Sequence, residues 1–390
     1  MRSFVIRLGA LAAASLLALS TGGATRAGAA PEPYVIGAIL SLSGPGSTLG
    51  RPEADSMEMA VDEINKAGGI NGHPIALTIL DDQSDATTAI NDFRQLVDKH
   101  AIAIFGTPLT PTSLAIAPLA EQAHVPLVSY ASSVSVVTPV AQHQWTFKIP
   151  INDTDVARSM QAFMKKRNQT KVSFIYRNDD YGKTGMAHFE EVGKSAGFDV
   201  ISGDAIAPTA SDATTQLTHV KAANPQALIC WTTLPSANVI IKGYRELGLQ
   251  VPIYYSDGAA TGVFAKQAGA TLNGAFIATL KVNVYHELAN GDPQKKLLER
   301  YVPDFEKTYP KDAPASIFGT WGYDGVAFLK AALGRVNGTA TAASLRDAME
   351  HTTFVGVSGT FRFSPAQHWG LSEDAVLMAQ IENAQFRMAK

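Results

Sequence analysis

The chain has 390 residues, of which 46% are hydrophobic, and its 32 basic and 35 acidic residues give a net charge of −3. This length is enough for two domains of ordinary size. The mildly acidic balance argues against nucleic acid or an anionic membrane as a partner. A single cysteine, Cys230, excludes a disulfide framework and a structural zinc site built on several thiolates.

Residues 1–30 have the pattern of an export signal. Arg2 and Arg7 precede an uncharged, mainly apolar run over 8–19, and small residues follow up to Ala30. The run is too short for a membrane-spanning helix, so we expect a signal peptide cleaved after Ala30 and a periplasmic protein. Cleavage leaves 29 basic and 35 acidic residues, a net charge of −6. The alternative is an uncleaved membrane anchor.

Apolar strands alternate with amphipathic helices through the first half. Pro52 suits the first turn of a helix that Gly68 ends, and apolar residues recur on one face of it, at Ala54, Met57, Val61 and Ile64. A further helix is predicted over 86–97. Strands are predicted at 34–40, 75–80, 101–105 and 126–129.

The same alternation restarts after residue 150. Strands are predicted at 171–176, near Val200, at 227–231 and at 252–255, with helices between them. Such near-continuous apolar strands are typical of parallel sheets covered by helices on both faces. We therefore predict an α/β protein of two open, doubly wound parallel-sheet lobes. Lobe 1 comprises 31–151 and about 280–355, and lobe 2 comprises 152–279 and about 356–390.

Candidate ligand-binding residues follow the strands, because open α/β sheets bind ligands outside the carboxyl ends of their strands. Hydroxyl groups and the N–H groups at helix starts suit a carboxylate, and an acid at Asp257 suits an ammonium group. These segments are 41–50, 106–113, 129–133, 177–182, 232–234 and 256–258. Each residue also has a plain structural alternative: Thr112 or Ser113 as a helix cap, Tyr181 as a half-buried aromatic, Asp257 as a turn residue.

A dinucleotide site is the competing interpretation of the first strand and helix. Gly44, Gly46 and Gly50 lie between them, and two acids end the next strand at Asp81 and Asp82. Pro45 removes a backbone donor near a pyrophosphate, and export disfavours a nicotinamide-dependent oxidoreductase. The histidines show no H-x-x-x-H spacing and the chain has no G-x-S-x-G motif. We expect no enzyme activity, no cofactor and no metal site.

Several motifs resemble those of the periplasmic branched-chain amino-acid binding proteins, the leucine/isoleucine/valine type, of ABC importers. They are Ile36-Gly37-Ala38, Ser43-Gly44-Pro45, the segment 60–72, Asp81-Asp82, Asp180-Tyr181-Gly182 and Tyr323-Asp324. The resemblance covers nearly all of the chain after residue 30. It implies a type I periplasmic binding protein: two lobes joined by a multi-strand hinge and closing over a small carboxylate ligand. It further implies a monomer that delivers its ligand to an inner-membrane permease.

Carried over by position, the resemblance places ligand contacts on Thr110, Ala131, Ser133, Tyr181 and Asp257. The amino-acid binders carry a glutamate at the position of Asp257. Two further positions depart from the family, Leu49 in place of an aromatic residue and Leu234 in place of a tyrosine. The predicted ligand is a branched-chain or other apolar amino acid, with an aromatic or other non-amino carboxylate as the alternative. A ligand sensor is the alternative of another class.

Overall fold

Two sheets of mainly parallel strands organise the described residues, 31–312 and 314–390 of this computed structural model. The predicted export signal, residues 1–30, lies outside them. Parallel strands connected by helices confirm the α/β class that the alternating apolar pattern predicts. Within the described residues, no helix is long and apolar enough to cross a bilayer.

The first sheet has five parallel strands: β1 (Tyr34–Leu40), β2 (Ile75–Asp81), β3 (Ala103–Gly106), β4 (Leu127–Ser129) and β5 (Thr146–Lys148). Their order across the sheet is β2-β1-β3-β4-β5. The winding direction thus reverses between β1 and β3, and such a switch point opens a crevice at the carboxyl edge of the sheet. The loops after these two strands are those predicted to bind a ligand.

The second sheet contains β6 (Lys171–Arg177), β7 (Asp199–Ile206), β8 (Ala227–Trp231), β9 (Ile253–Tyr255) and β10 (Phe276–Thr279), all parallel. A separate hairpin follows in the chain, β11 (Thr353–Val355) and β12 (Thr360–Arg362). Two antiparallel strands, β13 (Leu377–Glu382) and β14 (Gln385–Met388), then extend the second sheet to the order β14-β13-β10-β9-β8-β6-β7. Its switch point lies between β6 and β8.

The helices that connect and cover these strands are α1 (Ser47–Lys66), α2 (Ala86–Asp98), α3 (Thr110–Ala123), α4 (Asp153–Lys165), α5 (Asp180–Lys194), α6 (Thr214–Ala223), α7 (Ser236–Glu246), α8 (Gly262–Ala268), α9 (Lys295–Thr308), α10 (Ile317–Leu333) and α11 (Ala342–Met349). The prediction that Pro52 lies in the first turn of α1 is wrong. That helix starts at Ser47, and the Gly50 N–H already bonds to the Gly46 carbonyl at 3.0 Å. The earlier start places Leu49 in the first turn.

The chain crosses three times from one sheet and its helices to the other, at about 149–152, 280–294 and 372–376. After the second passage, α9 and α10 pack beside α1, where the Tyr301 and Ser56 hydroxyls lie 2.7 Å apart. The segment after α11 also lies against the first sheet and α10, since the Phe363 ring packs edge-on 6.2 Å from Phe147 of β5 and stacks 4.0 Å from Phe328 of α10. Trp369 continues this contact through a bridge to Lys148 on β5.

A buried carboxylate ties this C-terminal segment to α10. Asp324 is fully buried, and its Oδ1 and Oδ2 accept hydrogen bonds from the N–H groups of Val357 at 2.9 Å and Ser358 at 2.7 Å. Gly356 allows this approach, because a Cβ there would lie 2.3 Å from Asp324 Oδ1. Burial raises the pKa of Asp324 to about 6 against the lowering effect of these hydrogen bonds.

An Asp324→Ala variant is expected to lose about 2–4 kcal/mol of unfolding free energy, because two buried N–H groups lose their acceptors. Urea denaturation measures the loss. Asp304→Ala is the matched control: its side chain is exposed on the neighbouring helix α9, and we expect a change within about 0.5 kcal/mol. An unchanged urea midpoint for Asp324→Ala would show that the two N–H groups find other partners.

Candidate functional site

The carboxyl ends of the two sheets face each other across a cavity of about 320 Å³, a volume that includes space open to solvent. The residues that line it are Leu49, Pro108, Leu109, Thr110, Pro111, Ser132, Arg177, Asp179, Tyr181, Thr233, Gly258 and Phe318. Three residues named from the sequence, Leu49, Thr110 and Tyr181, are among them.

The start of α3 presents a hydroxyl group to the cavity. Thr110 is 1% exposed, and its Oγ1 has no hydrogen-bond partner among the described residues. The nearby hydroxyls are occupied within the loop: Thr112 Oγ1 donates to the Leu109 carbonyl at 2.9 Å, and Ser113 Oγ donates to the Thr107 carbonyl at 2.9 Å. Thr112 and Ser113 therefore fix the loop, while the Thr110 hydroxyl stays free at a helix N-terminus, where the helix dipole favours negative charge.

The segment after β4 places Ser132, rather than its neighbours, at the cavity. Ser132 Oγ donates to Asp257 Oδ2 at 2.7 Å and so joins the two walls. Ala131 is fully buried in a small cluster with Val136. Ser133 Oγ accepts a hydrogen bond from the Ser135 N–H at 3.3 Å and lies 3.2 Å from the Thr184 hydroxyl. The predicted contacts Ala131 and Ser133 thus flank the side chain that lines the cavity.

Asp257 lies directly behind the opposite wall. It is fully buried after β9, and its Oδ1 accepts a hydrogen bond from the Tyr181 hydroxyl at 2.9 Å. Tyr181 in turn accepts one from the Gly258 N–H at 3.1 Å. Burial raises the pKa of Asp257, and the bonds from Ser132 and Tyr181 oppose that rise. Burial, and then the nearby Asp257, hold the pKa of Tyr181 well above its usual value, so its hydroxyl remains a donor.

The apolar lining comes from both predicted and unpredicted positions. Leu49 is 3% exposed in the first turn of α1, and Phe318 on α10 is 2% exposed beside it in the lining. Leu234 is buried at 4% exposure without lining the cavity, and the preceding Thr233 lines it instead. An aromatic ring is therefore present at the cavity, supplied by a distant part of the chain rather than by the position of Leu49.

Sequence reasoning did not single out Arg177, the last residue of β6. Its side chain is 6% exposed and lines the cavity, and its Nη1 donates to Thr233 Oγ1 at 2.5 Å. Its Nε lies 2.5 Å from Asp179 Oδ2, without the in-line geometry of a hydrogen bond. The signal available in the sequence was a charged residue ending an otherwise apolar strand, at the edge where ligands bind.

A buried lysine, Lys148, holds the backbone next to the cavity. The three N–H groups of the Lys148 ammonium are shared among four oxygens within hydrogen-bond distance: Ser132 O at 2.9 Å, Pro150 O at 3.1 Å, Ile151 O at 2.9 Å and Asn152 Oδ1 at 2.8 Å. Lys148 thus links the cavity segment after β4 to the first passage of the chain between the sheets. Burial lowers the pKa of Lys148 to about 8, although Asp153, Asp155 and Asp257 act to raise it.

Two sheets with switch points facing one cavity define a binding protein of the type I periplasmic class. The chain matches the periplasmic binding protein family over residues 33–385, and it belongs to that family. Among curated relatives, Leu/Ile/Val-binding protein homolog 7 of Brucella abortus is 25% identical over 341 residues, which is 84% of each chain. The resemblance inferred from the sequence motifs is confirmed.

Solved structures agree with this fold. An extracellular ligand-binding receptor from Rhodopseudomonas palustris superposes with a TM-score of 0.84 and 25% identity, over 92% of this chain and 99% of the other. The branched-chain amino acid transporter substrate binding protein LivJ from Streptococcus pneumoniae, solved with isoleucine, has a TM-score of 0.79 and 22% identity over 92% and 99%. The family is one of binding proteins rather than enzymes.

Proposed function

We propose that this protein captures a small carboxylate compound between its two sheets and delivers it to an inner-membrane permease of an ABC importer. The observation that carries this proposal is the cavity between the two carboxyl edges, with the unpartnered hydroxyl of Thr110 at the start of α3. Orphan N–H groups and the helix dipole favour a negative charge at that point. The protein acts as a periplasmic monomer after loss of residues 1–30.

The two sheets correspond to two lobes that close over the ligand. The first lobe comprises 31–151 and about 280–371, and the second comprises 152–279 and about 372–390. This assignment moves 356–371 to the first lobe, because the Phe363 ring packs against Phe328 of α10. The Ser132–Asp257 hydrogen bond then joins the lobes in the closed state.

The ligand class follows from the two ends of the cavity. Leu49 and Phe318 offer an apolar end, which suits a branched-chain or other apolar amino acid. An aromatic or other non-amino carboxylate fits the same apolar end. The residue that separates these two ligands is Asp257, because only an amino acid has an ammonium group for it to pair with.

We infer that the turn between β1 and α1 has a structural role and does not bind a dinucleotide. Asp81 Oδ1 accepts hydrogen bonds from the N–H groups of Leu42 at 2.9 Å and Ser43 at 3.1 Å, and Asp82 Oδ1 accepts one from the Ser41 hydroxyl at 2.7 Å. Both acids are thus used to hold their own loop. This use disfavours the alternative in which they bind the ribose of a dinucleotide.

Closure on the ligand is the test of this function. We expect a thermal-shift panel of amino acids and aromatic acids to identify a stabilising carboxylate, since a ligand that binds only the folded state raises stability. Small-angle scattering with that compound should show a smaller radius of gyration at saturation, because binding favours the closed state. The compound should be recovered unchanged. A constant radius at saturation, or conversion of the compound, would contradict the proposal.

A further inference from the structure

Arg177 places a guanidinium group in the second wall of the cavity. It ends β6, beside the switch point of the second sheet, and is 5% exposed as a whole residue. Side chains of this type are almost never fully buried unless they are paired. The buried position of Arg177 therefore raises the question of which groups pair with its guanidinium.

The partners within the protein use only part of the guanidinium group. An arginine has five N–H donors in a planar fork. Nη1 bonds to the Thr233 hydroxyl and Nε lies against Asp179 Oδ2, whereas Nη2 forms no hydrogen bond with any of the described residues. Asp179 is itself fixed, since its Oδ1 accepts a hydrogen bond from the Gly182 N–H at 3.2 Å as the cap of α5. The guanidinium is held through Nη1 and Nε, and three of its five N–H groups, one on Nη1 and two on Nη2, have no hydrogen-bond partner among the described residues.

Apart from Asp179, which already lies against Nε, the lining offers no charged group to these donors. Ser132, Tyr181 and Thr233 contribute neutral hydroxyls, and the carboxylate of Asp257 lies behind the wall with both oxygens accepting hydrogen bonds. On the opposite wall, Thr110 stands at the N-terminal end of α3, which favours negative charge. Both walls thus direct donors at the enclosed space.

We propose that Arg177 binds the carboxylate of the ligand from the second wall and is a specificity-determining residue of the site. A fixed, planar guanidinium matches a carboxylate through two parallel N–H bonds. The ligand carboxylate is then contacted by Thr110 of α3 on one wall and by Arg177 of β6 on the other. Closure of the two walls therefore depends on the negative charge of the ligand. This inference rests on the proposed function, and it assigns the selection of an acid over its neutral amide to Arg177.

The test compares acids with their amides in matched variants. Arg177→Met removes the guanidinium, and Arg158→Met is its control: Arg158 on α4 is half exposed, pairs with Asp155 and does not line the cavity. The probes are L-leucine with L-leucinamide and phenylacetate with phenylacetamide, titrated by calorimetry. We expect Arg177→Met to weaken the preferred acid by about ten- to a hundredfold and to leave its amide nearly unchanged. Arg158→Met should bind both as the wild type does.

Each outcome separates the inference from the proposed function. Unchanged acid binding by Arg177→Met, or an equal loss for acid and amide, overturns the role of Arg177 while the binding function stands. Failure of the wild type to bind any carboxylate of the thermal-shift panel, these two acids included, overturns both. Should Arg177→Met fold poorly, Arg177→Lys keeps the charge without the fork, and we expect it to retain a reduced preference for the acid. A full preference in that variant would contradict bidentate recognition.

Discussion

An Asp257→Ala variant is expected to bind an amino-acid ligand such as L-leucine several hundredfold more weakly than the wild type. In the closed site the ligand ammonium would lose its carboxylate partner and stay buried, a cost of about 3–5 kcal/mol. Asp257 is positioned for this role, because Ser132 and Tyr181 each occupy one lone pair of its two oxygens and leave further acceptor capacity. Calorimetric titration measures the change.

The same variant distinguishes the ligand classes. A non-amino acid such as phenylacetate should bind Asp257→Ala equally well or better, since a buried carboxylate near that of the ligand is unfavourable. Thr110→Ala is the comparator and should weaken either ligand by about 1–3 kcal/mol, through loss of a hydrogen bond to a charged group. Full-strength binding of L-leucine by Asp257→Ala would contradict ammonium recognition by this residue. Full-strength binding by Thr110→Ala would mean that the carboxylate lies elsewhere.

The fold was accessible from the sequence because parallel strands buried on both faces leave a strong signal. The strand at 34–40 was predicted with its observed bounds, and so was that at 227–231. The antiparallel edge strand β14 was missed, because it is short and three of its four residues are exposed. Pro52 was misleading, because it lies inside α1, where a proline removes an intrahelical hydrogen bond and is normally disfavoured.

The sequence predicts lining residues of the cavity only where they directly follow the end of a strand. Thr110 and Tyr181 each begin a helix directly after a strand, and the rule for open α/β sheets locates both. Phe318 could not be found in this way, because it reaches the cavity only through the packing of α10 on α1.

Adjacent residues could not be told apart for a different reason. In extended segments successive side chains point in opposite directions, so a shift of one residue exchanges cavity and core. Ser132 lines the cavity between Ala131 and Ser133, and Thr233 lines it in place of Leu234. In both places the resemblance names a segment that lines the cavity, and only the three-dimensional structure distinguishes the neighbouring residues. The assignment of ligand contacts to Ala131, Ser133 and Leu234 stays a prediction.

A Lys148→Met variant is expected to lose about 3–5 kcal/mol of unfolding free energy at neutral pH. The three N–H groups of the ammonium are shared among four oxygens, of Ser132, Pro150, Ile151 and Asn152, and methionine offers none of them a donor. Lys165→Met, on the exposed face of α4, is the matched control and should change stability by less than about 0.5 kcal/mol. Urea denaturation of the three proteins gives the comparison.

The pH dependence of the same comparison reports the protonation state of Lys148 in the folded protein. Burial lowers the pKa of Lys148 from its ordinary 10.5 to about 8, so between these values the unfolded chain holds a proton that the folded protein has released. Stability rises with pH wherever the unfolded state binds more protons. The wild type should therefore gain stability relative to Lys148→Met as the pH rises above 8, by about 1.4 kcal/mol per pH unit. Below pH 8 the difference should be constant, and a difference that also stays constant between pH 8 and 10.5 would show that Lys148 keeps its proton in the folded protein.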